Sequence, residues 1–276
     1  MNALEIRGLT KRRGDFALQG LDLTLPAGCI MGLIGENGAG KSTTIRLALN
    51  ALSRDGGTIA VYGKDNRALT ALEREDIGVV LDEVGLPEYL TAAQIGRMMA
   101  GIFTRWQPEV YRDYLRRLAL PEDKPFKDFS RGMRMRLGLA AALSHQPKLL
   151  LLDEATSGLD PVVRDDILTI LSDFTRDEEH AVLISSHIVS DLEKICDYIA
   201  FLHRGRLLLC EEKDRLTEEY GILRGGTDGI APAAVCGRHA TPYGTEYLVR
   251  RSAVPAGVSL GQVNIEDLFV FMAKEA

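Results

Sequence analysis

A glycine-rich loop joins an apolar run to a helical segment near the start of this 276-residue chain. The apolar run, CIMGLIG at residues 29–35, is typical of a buried strand. TIRLALNAL, at residues 44–52, has the apolar spacing of a helix, and the loop between the two reads GENGAGKST. A buried strand that passes through such a turn directly into a helix predicts an α/β architecture with a mainly parallel sheet.

Residues 35–42 match G-x-x-x-x-G-K-[ST], the pattern of a phosphate-binding loop. Its glycines let consecutive N–H groups converge on phosphate oxygens, and the helix N-terminus adds partial positive charge. We expect Lys41 to reach the β- and γ-phosphates of a nucleotide and the Ser42 hydroxyl to bind Mg²⁺. The predicted nucleotide-binding residues of the loop are Gly35, Asn37, Gly38, Ala39, Gly40, Lys41, Ser42 and Thr43.

A second apolar run, Leu149–Leu152, ends in Asp153 and Glu154. An Asp at the end of a buried strand can hold the ligand shell of Mg²⁺. Glu154 is then placed to orient or deprotonate an attacking water, and general-base help is typically worth about 10²–10⁴ in rate. An acidic pair after four leucines is also compatible with a plain strand-ending turn, but the upstream phosphate loop favours the catalytic interpretation.

Further strands are predicted along the chain by apolar alternation or by short apolar runs. Residues 4–25 alternate around a polar turn at 11–15, which predicts an N-terminal antiparallel pair, and further strands are predicted at 56–63, 77–82 and 182–187. A hairpin follows, and its turn is predicted at Arg204-Gly205.

Residues 85–146 have a helical pattern and carry ten Lys or Arg against six Asp or Glu. This segment is expected to be broken at Pro108, Pro121 and Pro125. Another amphipathic helix follows Pro161, and Asn264 is expected to cap a terminal helix. Residues 225–237 are predicted to form a loop.

Composition restricts the functions that this chain can have. Apolar residues make up 46% and charged residues 26%, the balance of a soluble globular protein, and a net charge of −6 argues against nucleic acid as a partner. The four scattered cysteines are expected to be reduced thiols of a cytosolic protein. We expect no N-terminal signal, and no apolar run approaches the roughly 18 residues of a membrane span. Any work at a membrane would then need a pore encoded elsewhere.

Four motifs occur in a fixed order: the phosphate loop, SRGM at 130–133, LLLLDEATSGLD at 149–160, and His187 at a strand end. Over about residues 4–209 this order resembles the ATP-binding subunits of ABC transporters. The resemblance implies head-to-tail dimers, with either a second copy of the chain or a different ATPase subunit, in which each ATP lies between the phosphate loop of one subunit and the signature motif of the other. It also implies a separate transmembrane permease subunit docked on the segment 85–146.

The same resemblance implies roles for residues outside the phosphate loop. Ser130, Arg131 and Gly132 would form the signature that faces the partner's ATP, at the position where the family usually has LSGGQ. Asp160 matches the D-loop that links the two active sites, and His187 matches the histidine that contacts the γ-phosphate.

The chain departs from the family pattern at several positions. Asp82 stands where the family has a glutamine that touches Mg²⁺ and the attacking water, and we expect it to reach the metal through a water. Arg13 occupies the expected place of the adenine-stacking aromatic, which leaves Phe16 as the candidate, with a core role as its alternative. Met133 replaces the signature glutamine. The guanidinium of Arg131 suits a triphosphate.

Three other residues of the helical segment are expected to have no catalytic role. We expect Arg134 and Arg136 to be solvated or to face a partner. Gln94 is expected to be an ordinary helix residue.

Together these features predict an α/β fold: a P-loop NTPase core with a mainly parallel sheet flanked by helices, an N-terminal antiparallel β part and an inserted helical subdomain. The predicted cassette covers residues 1–210, with its helical subdomain at about 85–146, and 211–276 form a small appendage.

The expected function is Mg-ATP hydrolysis that drives transport, with export favoured. The expected location is cytoplasmic, peripheral on the inner face of the cell membrane. The alternatives are a ribosome- or DNA-associated ABC ATPase and a slow nucleotide-dependent switch.

Overall fold

The computed structural model of the chain describes residues 1–227, 230–242, 244–255 and 257–275. Its strands are β1 (Asn2–Arg13), β2 (Phe16–Pro26), β3 (Ile30–Ile34), β4 (Gly56–Val61), β5 (Lys64–Asp65), β6 (Ile77–Val80), β7 (Leu149–Asp153), β8 (Ala181–Ser186), β9 (Tyr198–His203), β10 (Arg206–Glu212), β11 (Tyr220–Arg224), β12 (Val235–Thr241) and β13 (Gly244–Arg250). Its helices are α1 (Lys41–Ala48), α2 (Ala71–Arg74), α3 (Ala92–Ala100), α4 (Pro108–Arg117), α5 (Arg131–Leu143), α6 (Pro161–Phe174), α7 (Val189–Ile195), α8 (Lys213–Glu219) and α9 (Ile265–Glu275). Among the described residues, no helix combines the length and apolar character needed to cross a membrane.

A six-stranded sheet in the order β10-β9-β3-β8-β7-β6 forms the centre of the fold. Its pairs are parallel except for the β9–β10 hairpin. A four-stranded antiparallel sheet, β2-β1-β4-β5, contains the N-terminal strands, and β11-β13-β12 form a third sheet. The predicted fold class, a mainly parallel sheet with helices and an N-terminal antiparallel part, is confirmed.

Both faces of the central sheet are buried, which explains why its strands appear in the sequence as continuous apolar runs. In β7, Leu150 and Leu152 pack into one hydrophobic cluster, whereas Leu149 and Leu151 pack into another. Successive side chains of a strand point to opposite faces, so a strand covered on both sides needs apolar residues at every position. Helix α1 and the N-terminal sheet cover one face, and α3 to α7 with α9 cover the other.

The predicted helical segment contains α3, α4 and α5. Thr91 begins α3 with a capping box whose second member is Gln94, so Gln94 is the ordinary helix residue that was expected. The predicted break at Pro108 is confirmed, because α3 ends at Ala100 and α4 begins at Pro108. Pro108 occupies the first position of α4, where its missing N–H costs nothing. The limits 85–146 of this subdomain stay a prediction.

Arg134 and Arg136 are partly buried and donate hydrogen bonds to backbone carbonyls inside this segment. Arg134 Nη2 donates to the carbonyl of Lys127 at 2.8 Å, and Arg136 Nη1 donates to that of Leu118 at 2.7 Å. Leu118 follows the last turn of α4, where carbonyls lack helical partners. The two arginines therefore bind carbonyls at the end of α4 and in the 3₁₀ turn 126–128, which sequence spacing alone does not reveal.

The C-terminal part packs against the same hydrophobic cluster as the helical segment. The Phe269 ring of α9 meets Phe201 of β9 edge-on at 5.3 Å, and the Ile265 N–H donates to Glu193 of α7 at 3.0 Å. Asn264 accepts from the Asp267 N–H at 2.7 Å, which confirms the predicted capped terminal helix. Strand β10 crosses residue 210, and the predicted domain limit there stays a prediction.

The predicted loop at 225–237 is only partly a loop. Residues 232–234 form a short 3₁₀ turn, and β12 begins at Val235. Residues 228 and 229 lie outside the described residues.

A buried carboxylate ties the helical segment to the central sheet. Glu75, at the end of α2, accepts hydrogen bonds from the Thr104 N–H at 3.0 Å, from the Thr104 hydroxyl and from the Arg105 N–H at 3.1 Å. These bonds, that of the Thr104 hydroxyl above all, lower the pKa of Glu75 to about 2. Because the pKa is depressed in the folded chain, the associated stability is present above the unfolded value and is lost as the pH falls towards 2.

We predict that Glu75→Gln lowers the free energy of unfolding at pH 7 by about 1–3 kcal/mol, because a charged acceptor of three donors becomes neutral. Urea unfolding at pH 7 and at pH 3 measures the effect, and the difference between variant and parent should shrink at pH 3. Glu218→Gln, at an exposed glutamate, is the control and should change neither value. An equal loss at both pH values would contradict the assignment.

Candidate functional site

The phosphate loop runs from the end of β3 into α1, and two of its glycines leave no room for a Cβ. A Cβ at Gly35 would overlap the carbonyl oxygen of Leu202 in the neighbouring strand β9. Gly40 has a φ of +115°, and a Cβ there would lie 2.8 Å from Cζ of Phe16. Gly35, Ala39 and Gly40 are buried beneath the loop, and Asn37 and Gly38 are exposed at its tip.

Lys41 is buried at the start of α1, with its ammonium group inside the loop. Its Nζ donates to the carbonyl of Gly35 at 2.6 Å and lies 3.2 Å from Oε1 of Glu154. No side chain caps α1, because its N-cap is Gly40. An ammonium beside an uncapped helix N-terminus is an arrangement that suits an anion.

Glu154 connects Lys41 to His187. It follows β7 in the left-handed region, with a φ of +53°, and its side chain is only 14% exposed. While Oε1 faces Lys41, Oε2 lies 2.6 Å from Nδ1 of His187, the first residue after β8. The parallel strands β3, β7 and β8 end at one edge of the sheet, so three residues far apart in sequence form one chain of contacts.

Ser185, which was not among the predicted site residues, holds the backbone on which these contacts depend. Its hydroxyl donates to Oδ1 of the buried Asp153 at 2.6 Å and accepts from the Glu154 N–H at 3.1 Å. Two consecutive serines at the end of a buried strand were the available signal, because a hydroxyl there needs a hydrogen-bond partner.

A cleft of about 380 Å³ opens over the loop. Arg13 and Phe16, from the β1–β2 turn, line it together with Asp82 and Glu154. The phosphate-loop residues that line it are Glu36, Asn37, Gly38, Gly40, Lys41, Ser42 and Thr43. Asp153 and His187 do not line this cleft and join it through their contacts with Ser185 and Glu154.

The donors at this cleft suit Mg²⁺. The Ser42 hydroxyl and the Asp82 carboxylate line it, and Asp153 is buried at the end of the adjoining strand. Within the described parts of the chain, no group of three or more His, Cys, Asp or Glu side chains is arranged to hold a metal alone. Mg²⁺ is usually held by one or two carboxylates together with substrate phosphates, so this sparse oxygen set fits the ion.

The predicted signature and D-loop residues lie outside the cleft. The Ser130 hydroxyl caps α5 by accepting from the Met133 N–H at 3.3 Å, and Asp160 caps α6 by accepting from the Val163 N–H at 3.1 Å. Arg131 forms an ion pair with Asp82 at 2.5 Å. This pair joins positions 49 residues apart, and nothing in the sequence indicated it.

We predict that Glu154→Gly is more stable than Glu154→Ala by about 1 kcal/mol, because only glycine adopts a positive φ without strain. Both variants lose the contacts to Lys41 and His187, so Glu154→Ala is the matched control. Thermal and urea unfolding measure the difference. Equal stability of the two variants would show that the backbone at this position is not strained.

The comparisons with known proteins agree with this geometry. The family model described as ABC transporter matches residues 18–157. An uncharacterised ABC transporter ATP-binding protein of Bacillus subtilis is 36% identical over 210 residues, which cover 74% of this chain and 68% of the relative. A bacitracin transport ATP-binding protein of Enterococcus faecalis is 32% identical over 208 residues, with the same two coverages.

A solved structure has the same fold. It is described as an ATP-binding subunit of an ABC transporter, with a TM-score of 0.69, 25% identity, and coverage of 78% of this chain and 92% of that one. The family match, the relatives and the shared fold all point to the same class. The chain therefore belongs to the ABC transporter family and is an ATP-binding and ATP-hydrolysing subunit.

Proposed function

We propose that this subunit hydrolyses Mg-ATP with Glu154 and His187 in a head-to-tail dimer, and thereby drives export through a separate transmembrane subunit. The observation that carries the proposal is the continuous set of contacts from Lys41 through Glu154 to His187. It brings an anion-binding ammonium, a carboxylate and an imidazole to one edge of the sheet.

In this mechanism Lys41 binds the β- and γ-phosphates, and Glu154 orients and deprotonates the attacking water. His187 holds the second oxygen of Glu154 and also approaches the γ-phosphate. Ser42, Asp153 and Asp82 would hold Mg²⁺, which when bound offsets charge on the phosphates. Phe16 packs against Gly40 at the wall of the cleft, and we propose that it contacts the adenine.

A second subunit is needed because the signature residues lie outside the cleft of their own chain. The N-terminus of α5 carries Ser130 and Gly132, and we propose that it faces the triphosphate bound by the partner. Asp160 would connect the two sites across the dimer.

A groove beside the segment after β6 is the proposed docking surface for the transmembrane subunit. It has a volume of about 230 Å³, and its apolar wall includes Val79, Val84, Phe103 and Ala142. Val79 is 39% exposed although it is apolar and lies on the edge strand β6. A partly exposed apolar groove on a soluble chain is a common mark of a protein interface.

Export and the membrane location also belong to the proposal. The relative from E. faecalis is named for bacitracin transport, and we propose that this chain likewise serves export. We propose that the subunit lies on the cytoplasmic face of the cell membrane through its permease partner. The differences from the family pattern at Asp82 and Arg131 favour a second candidate, a nucleotide-dependent switch with slow hydrolysis. The rate of ATP turnover distinguishes this switch from a transport ATPase.

We predict that Glu154→Gln lowers ATP turnover by about 10²–10⁴, the usual contribution of general-base help. With hydrolysis blocked, Mg-ATP should shift this variant from monomer to dimer, as measured by light scattering. Adding Ser130→Arg should abolish the shift, because a bulky cation then blocks the end of α5. Adding Ser252→Arg, at an exposed serine of the C-terminal part, is the matched control and should leave the dimer intact. A monomer that binds ATP without dimerising would exclude a homodimer and require a different ATPase subunit as the partner.

We predict that Val79→Glu reduces binding to membrane vesicles from the source cell by at least about tenfold, because a buried unpaired carboxylate is costly at an apolar contact. Co-sedimentation with inside-out vesicles measures the binding. Val258→Glu is the control, because Val258 is 38% exposed and lies in the C-terminal part. Equal loss in both variants would argue against the groove as the docking surface.

A further inference from the structure

Asp82 lies where two clefts meet. It lines the nucleotide cleft together with Lys41 and Ser42. It also lines a second cleft of about 540 Å³ with Arg131, between the segment after β6 and the start of α5. One carboxylate thus stands between the proposed metal site and the signature motif of the same chain.

Arg131 lies between Asp82 and the segment that matches the D-loop. Its Nη2 lies 2.5 Å from Oδ1 of Asp82, and the side chains of Arg131 and Asp82 are 55% and 50% exposed. A Cβ at Gly158, in the D-loop, would lie 3.7 Å from Cδ and 3.8 Å from Cζ of Arg131. The guanidinium therefore binds Asp82 and lies close to the D-loop of the same subunit.

Both members of this ion pair would find a better partner in Mg-ATP. A carboxylate oxygen is a preferred ligand of Mg²⁺, which carries twice the charge of a guanidinium. A guanidinium binds phosphate oxygens in bidentate fashion. An exposed ion pair in water contributes little net stability, so exchanging its members is inexpensive.

We propose that Asp82 and Arg131 form an exchangeable latch. Mg²⁺ that arrives with ATP takes over Asp82, and the released Arg131 becomes available to the triphosphate held by a second copy of the chain. Metal loading in one site is thereby coupled to the readiness of the signature motif of the same subunit. This inference rests on the proposed function, because it requires that Asp82 face the metal and that Arg131 face the partner's nucleotide.

The first test measures the competition between Arg131 and Mg²⁺ in the monomer. A fluorescent ATP analogue is titrated into Glu154→Gln protein, with Mg²⁺ and with EDTA, at a concentration where light scattering shows monomers. The ratio of the two dissociation constants is the Mg²⁺ enhancement of nucleotide binding.

The proposed exchange predicts the direction in which each variant changes the Mg²⁺ enhancement of nucleotide binding. Arg131→Gln frees Asp82 and should raise the Mg²⁺ enhancement about two- to fivefold, the range of an exposed ion pair. Asp82→Asn should lower the enhancement, and the double variant should match Asp82→Asn. Glu83→Gln removes the same charge as Asp82→Asn at the adjacent exposed residue. It is the matched control for that variant and should leave the Mg²⁺ enhancement unchanged. An unchanged enhancement in Arg131→Gln would overturn the latch.

The second test uses the dimer in EDTA, where metal binding by Asp82 cannot contribute. Release of Arg131 by Asp82→Asn should strengthen ATP-induced dimerisation of the Glu154→Gln protein, and Arg131→Gln should weaken it. If the ion pair is instead a permanent structural contact, both variants should change ATP-induced dimerisation in the same direction. That result would also overturn the latch.

Failure of the proposed function and failure of the latch give different results. If the parent protein binds no nucleotide, the proposed function fails and the latch fails with it. If the parent binds Mg-ATP normally and Arg131→Gln leaves its Mg²⁺ enhancement unchanged, the proposed function stands and only the latch fails.

Discussion

Parallel pairing of β3, β7 and β8 is the constraint on which the site depends. Parallel strands end at the same edge, so the phosphate loop, Glu154 and His187 meet although 146 residues separate Lys41 from His187 along the chain. The pairing requires burial on both faces, and the alternation of each strand between two hydrophobic clusters meets that requirement. The layers on either side of the sheet therefore fix the geometry of the site as much as its polar residues do.

Short-range patterns made most of the fold and the loop predictable. A buried strand, a glycine-rich turn and a helix are encoded within about twenty residues, and caps such as Thr91 with Gln94 within four. The phosphate-loop residues and the acidic strand end were located in this way, whereas their catalytic roles stay proposals. Contacts between distant segments were not predictable. Asp82 with Arg131, and Arg136 with the Leu118 carbonyl, depend on how α5 packs against its neighbours.

In the C-terminal part, too, the secondary structure was predictable from the sequence and the packing was not. Its amphipathic terminal helix was predictable from Asn264 and the apolar spacing. Its position was not, because α9 is held by Phe201 and Glu193, which belong to other elements of the cassette. The face of α9 that buries Leu268 and Phe271 belongs to the same cluster as β9 and α7, so this part completes the core on one side of the sheet.

Both cations that the proposed mechanism directs at a triphosphate are already paired with a carboxylate in this chain. Lys41 faces Glu154 in a buried setting, with side chains 5% and 14% exposed, and Arg131 faces Asp82 in water. A buried pair is coupled strongly and leaves a costly charge if one partner is withdrawn, whereas an exposed pair is coupled weakly. In the proposed mechanism ATP would draw Lys41 from Glu154 while His187 continues to hold that carboxylate. The 2.6 Å contact between His187 and Glu154 would then give the histidine a part in the proposed binding step as well as in the proposed chemistry.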